Sequence, residues 1–177
     1  MRHIPYARRY IQSIQACIST CSAIHKDDQR VATRNDASRK LWIVGRGINR
    51  SGLAVFGEDP VTTKSMRLVS GGELDLFINI LEGRDGHEIV SYRIAVTHLP
   101  ANPNDIRSLR YDRSEGRPNN DGWDDEIQDN PKHPWAHLHI NFTGPGEANA
   151  CRMPTGKIEP LLFLRAFDHW YCSQFVP

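Results

Sequence analysis

Glu73-Leu74-Asp75-Leu76-Phe77-Ile78-Asn79-Ile80-Leu81-Glu82, joined through Gly83-Arg84-Asp85-Gly86-His87 to Glu88-Ile89-Val90-Ser91-Tyr92-Arg93-Ile94-Ala95-Val96-Thr97, is the stretch that decides the fold. In its first part Leu74, Leu76, Ile78 and Ile80 oppose Glu73, Asp75 and Asn79; in its last, Val90, Tyr92, Ile94 and Val96 oppose Ser91, Arg93 and Thr97. Successive side chains of a strand point to opposite faces, so alternation predicts two strands, 73–82 and 88–97, each with one buried face. Asp85-Gly86 supplies the positive φ values of a tight hairpin turn, so the two strands should pair directly and antiparallel.

Working outward, three more apolar runs read as strands: Lys40–Gly45, Gly52–Gly57 and Thr63–Val69. Residues 25–39 are polar and read as a loop. Before them, Ile11, Ile14, Ile18, Cys21 and Ile24 recur at three and four residues, the stripe of an amphipathic helix over 6–24. Downstream, Pro100–Asn104 breaks the pattern and Ser108–Asp112 reads as a short strand. Residues 113–134 form a long acidic loop rich in Gly, Pro, Asn and Asp, a length that in a compact domain goes with function or disorder. Ala136–Phe142 is again a strand. Pro160 suits a first helical turn, and Phe163, Leu164, Phe167, Trp170 and Tyr171 give the following helix, 159–174, a broad apolar face. The expected fold is one α+β domain over 1–177. It has an N-terminal helix, a curved antiparallel sheet of about six to seven strands and a C-terminal helix packed on the sheet.

The 177 residues, 39 % hydrophobic and 24 % charged, are enough for a real core. A net charge of +1 gives no global drive toward nucleic acid or membrane. No apolar run approaches membrane-spanning length, and Met1–Arg9 lacks the apolar centre of a signal peptide. The expected location is the cytoplasm, where Cys17, Cys21, Cys151 and Cys172 should be thiols. Gly45-Arg46-Gly47-Ile48-Asn49-Arg50 fails as a dinucleotide loop at Arg50, and Thr155-Gly156-Lys157-Ile158 lacks the hydroxyl that would bind magnesium.

The chemistry concentrates in His133-Pro134-Trp135-Ala136-His137-Leu138-His139. His137 and His139 fall on one face of a strand, about 7 Å apart, with His133 just upstream. Imidazoles take and give protons near neutral pH, as cleavage of RNA through its own 2′-hydroxyl requires. A cation must hold the phosphorane charge, and Arg110 and Arg152 are the candidates. The expected catalytic set is His137, His139, Arg110 and Asp112. Arg152, Tyr111 and His133 are expected to contact substrate. No cofactor is required; a divalent metal on the histidines with Asp112 or His133 is chemically sensible. Trp123, alone in the acidic loop, suits a partner interface.

Arg110-Tyr111-Asp112, the histidine-rich strand and the C-terminal aromatic helix occur in that order. In this the chain resembles TumE-type toxins of bacterial toxin–antitoxin modules. The run Cys151-Arg152-Met153-Pro154-Thr155, followed by the helix, resembles a longer, uncharacterised bacterial family of the same layout. The resemblance covers residues 73–175; the N-terminal helix, the early strands and the acidic loop depart from the TumE pattern. It implies a bacterial protein of a toxin or defence locus. Two functions follow as expectations. One is a nuclease or other phosphoryl-acting enzyme that can bind RNA. The other is a non-enzymatic subunit that docks a cognate antitoxin or another protein.

Overall fold

The computed structural model describes residues 6–38, 40–46, 64–102, 104–114, 118–119, 122–123, 136–142, 150–154 and 158–177. Helix α1 spans Tyr6–Ser19, strands β1 to β3 span Ala32–Asp36, Leu41–Gly45 and Met66–Arg67, and β4 and β5 span Glu73–Glu82 and His87–Thr97. Strand β6 spans Ile106–Ser114, β7 and β8 are the short pair Pro118–Asn119 and Gly122–Trp123, β9 and β10 span Ala136–Phe142 and Ala150–Pro154, and α2 spans Pro160–Phe175. The main sheet runs β1-β2-β4-β5-β6-β9-β10, with β3 beside β4. All its pairings are antiparallel. The architecture is α+β, two terminal helices and a curved antiparallel sheet, as the alternating pattern requires.

One face of the sheet carries the main core. Leu74, Leu76, Ile78 and Ile80 of β4 are fully buried, with Tyr92, Ile94 and Val96 of β5 and Tyr111 of β6. They pack with Ala7, Tyr10, Ile11, Ile14 and Ile18 of α1 and with Leu164, Phe167 and Tyr171 of α2. Helix α1 starts where the Ala7 amide donates to Glu82 Oε2 at 3.2 Å, so a carboxylate from the end of β4 sits on the positive end of the helix. It stops at Ser19, where the Ser19 and Thr20 hydroxyls both donate to the Ala16 carbonyl at 2.9 Å. The expected helix over 6–24 is therefore shorter, although Cys21 and Ile24 beyond its end are buried as the stripe implied.

Helix α2 begins with Pro160 in its first turn. Its entry is fixed by two tyrosines of the sheet. Tyr92 donates to the Ile158 carbonyl at 2.9 Å, and the Ile158 amide donates to the Tyr111 hydroxyl at 3.1 Å. Phe163 stacks on Tyr111 with ring centroids 5.2 Å apart. At the other end Tyr171 donates to the Gly71 carbonyl at 2.8 Å. Next to it Gly72 holds φ +93°, and a Cβ there would lie 2.9 Å from the Thr97 carbonyl oxygen. Only glycine fits that turn.

Several expectations are corrected. The β4–β5 connection is a four-residue loop, Gly83–Gly86, closed by the Gly83 amide on the Gly86 carbonyl at 2.9 Å. Neither Asp85 nor Gly86 has a positive φ, because a four-residue loop does not need the mirror-image turn of a two-residue one. A register shift opposite Asn79 and Ile80 changes the parity of β5, so Val90 joins Leu41 and Ile43 in a second apolar cluster on the other face. Residues 25–39 contain a helical turn, Lys26–Asp28, and the edge strand β1. Strand β3 is only Met66–Arg67, whereas β6 is longer than Ser108–Asp112. Strand β10 was not anticipated; it is the far edge of the sheet. The expected strand Gly52–Gly57 lies outside the described residues.

Asp28 anchors the turn after α1. Its carboxylate accepts from Arg46 Nη2, from Arg67 Nε at 2.8 Å and from the Arg67 amide at 3.0 Å. The hydrogen bonds from Arg46 and then Arg67 hold it well below the usual carboxylate range.

Candidate functional site

Beside the second apolar cluster, the face turned away from the helices carries polar positions of β4, β5, β6 and β9. Register sets which of them meet, because directly opposed residues of an antiparallel pair share a face. Arg110 of β6 is opposite Ala95 of β5 and His139 of β9, and His139 is opposite Arg152 of β10. Asp75 of β4 is opposite Ala95. One cross-strand row thus reads Asp75, Ala95, Arg110, His139, Arg152. The next row reads Phe77, Arg93, Asp112, His137, Pro154. Arg110, Asp112, His137 and His139 therefore occupy adjacent register positions on two paired strands. No turn chemistry in the sequence forced that register; the long connection from β6 to β9 left it open.

Arg110 Nη2 lies 3.1 Å from His139 Nε2. A guanidinium has only donors, so this is a hydrogen bond when Nε2 offers its lone pair and the proton sits on Nδ1. His139 is buried at 7 % exposure, although it lies on the face opposite the main core. Further along, Asn79 is 2 % exposed, and its Nδ2 donates to Ser91 Oγ at 2.8 Å. Its Oδ1 has no hydrogen-bond partner. Ser65 Oγ donates to Glu73 Oε2 at 2.9 Å, next to Asp75. Burial, and then the charge of Glu73, push the Asp75 carboxyl above its ordinary value, while Ser65 and Arg93 pull it back.

Tyr111 is elsewhere. It was a substrate-contact candidate, but it is fully buried on the helix-covered face between Tyr92 and Phe163. Its neighbour Arg110 lies on the other face for the simple reason of strand alternation. Asp112, His137, Arg152 and Trp123 are placed by backbone register; their side chains lie outside the described residues, as does the whole of His133. Asp75 and Arg93 were not singled out as site residues. The signal that could have found them is the same alternation that buried Leu74, Leu76 and Ile94.

Cysteine chemistry gathers between the helices. Asp168 Oδ1 accepts from Cys21 Sγ at 3.3 Å and from the Ala23 amide at 2.9 Å, with Cys172 Sγ at 3.7 Å. Cys17, Cys21 and Cys172 are free thiols. Burial and the Asp168 carboxylate push the Cys21 thiol up to about 12, so it stays protonated and unreactive. Among the described residues, no group of three or more His, Cys, Asp or Glu side chains is arranged to hold a metal ion. No described helix is long and apolar enough to cross a membrane. No family model matches this chain, and no curated protein or solved structure is significantly similar to it.

Proposed function

We propose that the face bearing Arg110 and His139 binds a phosphate-bearing ligand, and that the protein is a toxin-like, phosphoryl-acting enzyme of a bacterial toxin–antitoxin or defence locus, with RNA as its substrate in the cytoplasm. One observation carries the reading: the register that sets Arg110 against His139 and Asp112 against His137. In this reading Arg110 meets the charge that develops on phosphorus. His139 holds the guanidinium through Nε2. His137 takes the 2′-hydroxyl proton, and Asp112 orients its ring.

A second reading has one observation in its favour. His139 is buried and its Nε2 is already engaged by Arg110, whereas a general base or acid needs that nitrogen for the substrate. A polar row built for rigidity suits a non-enzymatic subunit that docks a cognate antitoxin or another protein through the segment between β6 and β9, which carries Trp123. The two readings part in a cleavage assay on single-stranded RNA. His137→Ala and the His137→Ala/His139→Ala pair should lower the rate by about 10²–10⁴ while the protein stays folded. A double variant with full activity removes the enzyme reading from this strand.

A further inference from the structure

We propose that the outer edge of β1 is a dimer contact: two copies of this chain join edge to edge, antiparallel about Asn35, so that Arg34 of each copy stands opposite Asp36 of the other. The contact does not depend on the chemistry of the face that bears Arg110 and His139.

A strand at the end of a sheet leaves one side of its backbone unpaired, and that side is a template for another strand unless the edge is protected. The main sheet ends in β1 on one side and β10 on the other. Strand β10 closes on Pro154, which has no N–H to give. Strand β1 has no such guard. It contains no proline, and its five residues pair with β2 in unbroken register, from Ala32 opposite Gly45 to Asp36 opposite Leu41. Among the described residues, no backbone group is bonded to its outer side. Ala32, Thr33 and Asn35 are exposed, and Arg34 and Asp36 are half-buried.

The charges name the partner. Arg34 is opposite Ile43 and Asp36 is opposite Leu41, and both of those apolar residues belong to the second cluster. Arg34 and Asp36 therefore lie together on the face turned away from the helices. Directly opposed residues of an antiparallel pair share a face, so a two-fold axis through the joined sheet passes at one residue and pairs the positions on either side of it. Centred on Arg34, the axis sets two guanidiniums against each other, which is repulsive. Centred on Asn35, it sets Arg34 against Asp36 twice. No other centre in β1 opposes an arginine and an aspartate that both belong to the strand. The Ser38 amide and hydroxyl donate to Asp36 Oδ1 at 3.1 and 2.6 Å and fix that carboxylate at the end of the strand. One strand thus carries both halves of the contact, and its complement is the same strand of a second copy. Arg110 of β6 is four strands in from this edge, so joining the copies sets their two Arg110–His139 pairs about 40 Å apart, measured along the sheet.

The oligomeric state of the full chain is measured by sedimentation up to about 100 μM, a range that captures a weak contact, with melting curves to verify folding. Wild type should be a dimer. Arg34→Asp opposes carboxylates at both pairs, and Asp36→Arg opposes guanidiniums, so each should weaken self-association by about tenfold or more. An equal mixture of these two variants should pair again, because each then meets its opposite in the other. Asn35→Cys gives an answer that needs no charge reversal. The axis sets this residue opposite itself, with Cα atoms about 5 Å apart and within disulfide reach. Diamide, which takes one hydrogen from each thiol, should link the two copies there. Thr33→Cys, opposite Ala37 in this register, should stay unlinked. Wild-type protein that is monomeric over the whole range overturns the proposal. A dimer that both reversals leave intact and that Asn35→Cys does not link also overturns it, because its contact then lies elsewhere.

Discussion

Tyr111 and Arg110 are neighbours in one strand and belong to different regimes. Tyr111 is sealed under α2, stacked on Phe163, with its hydroxyl committed to the Ile158 backbone. Arg110, on the other face, sits in a row of ionisable groups and touches a buried imidazole. The helix-covered face is stabilised by apolar area removed from water, where an unpaired polar group is costly. The other face holds Asp75, Asn79, Arg93, Arg110 and His139 at partial or full burial. Burial of that many polar groups contributes little to stability. That is the physical ground for looking for function there.

Four substitutions test this contrast, from the largest effect to the smallest. Phe167→Ala removes a side chain that is 3 % exposed between Trp170 and Tyr171. It should cost about 3–5 kcal/mol in denaturant melts; a loss below about 1 kcal/mol would mean that α2 is not part of the core. Asp28→Ala strips Arg46 and Arg67 of their shared carboxylate and should cost about 1.5–3 kcal/mol at neutral pH. Its folded-state titration lies below the unfolded value of about 3.9. The contribution is therefore complete above that pH and fades as acid approaches the folded-state titration. The wild-type advantage over Asp28→Ala should shrink below about pH 4, and an advantage unchanged in acid would disprove the linkage.

Tyr111→Phe keeps the stacked ring and removes the hydroxyl that meets Ile158. A loss of about 1 kcal/mol is expected, with any RNA cleavage unchanged because Tyr111 is buried on the helix-covered face. Asn79→Val sharpens the comparison most. It deletes one hydrogen bond to Ser91 and also a buried carbonyl oxygen that has no partner. These terms oppose each other, so stability should stay within about 1 kcal/mol of wild type. A loss of several kcal/mol would show that the far face is a second structural core.

Legibility in the sequence followed the same division. Strands β4 and β9 and helix α2 were readable to within a residue or two because each has one strongly apolar face and a clean boundary signal. Strand β1, Ala32–Asp36, was missed because an exposed edge strand has no apolar face to show. Strand β10 was missed for a similar reason, with Arg152 and Pro154 breaking its pattern. Val90 was assigned to the wrong face, since one extra residue in a ladder inverts parity and leaves no mark in composition. At the site, alternation alone put His137 and His139 on one side of a strand. It could not tell that Asp75, more than sixty positions earlier in the chain, would share a row with His139.

The sequence by itself determined the α+β class, the hairpin at the centre of the sheet, the two terminal helices and the side of β4 that meets them. These depend on local periodicity and on burial of apolar area, both of which are written residue by residue. Only the tertiary structure decided that β6 pairs with β9 in the register that opposes Arg110 to His139, that Glu82 starts α1, and that Asp75 and Arg110 flank Ala95. Those are contacts between distant segments. Their selection depends on how all the strands twist and pack at once, and no window of the chain contains it.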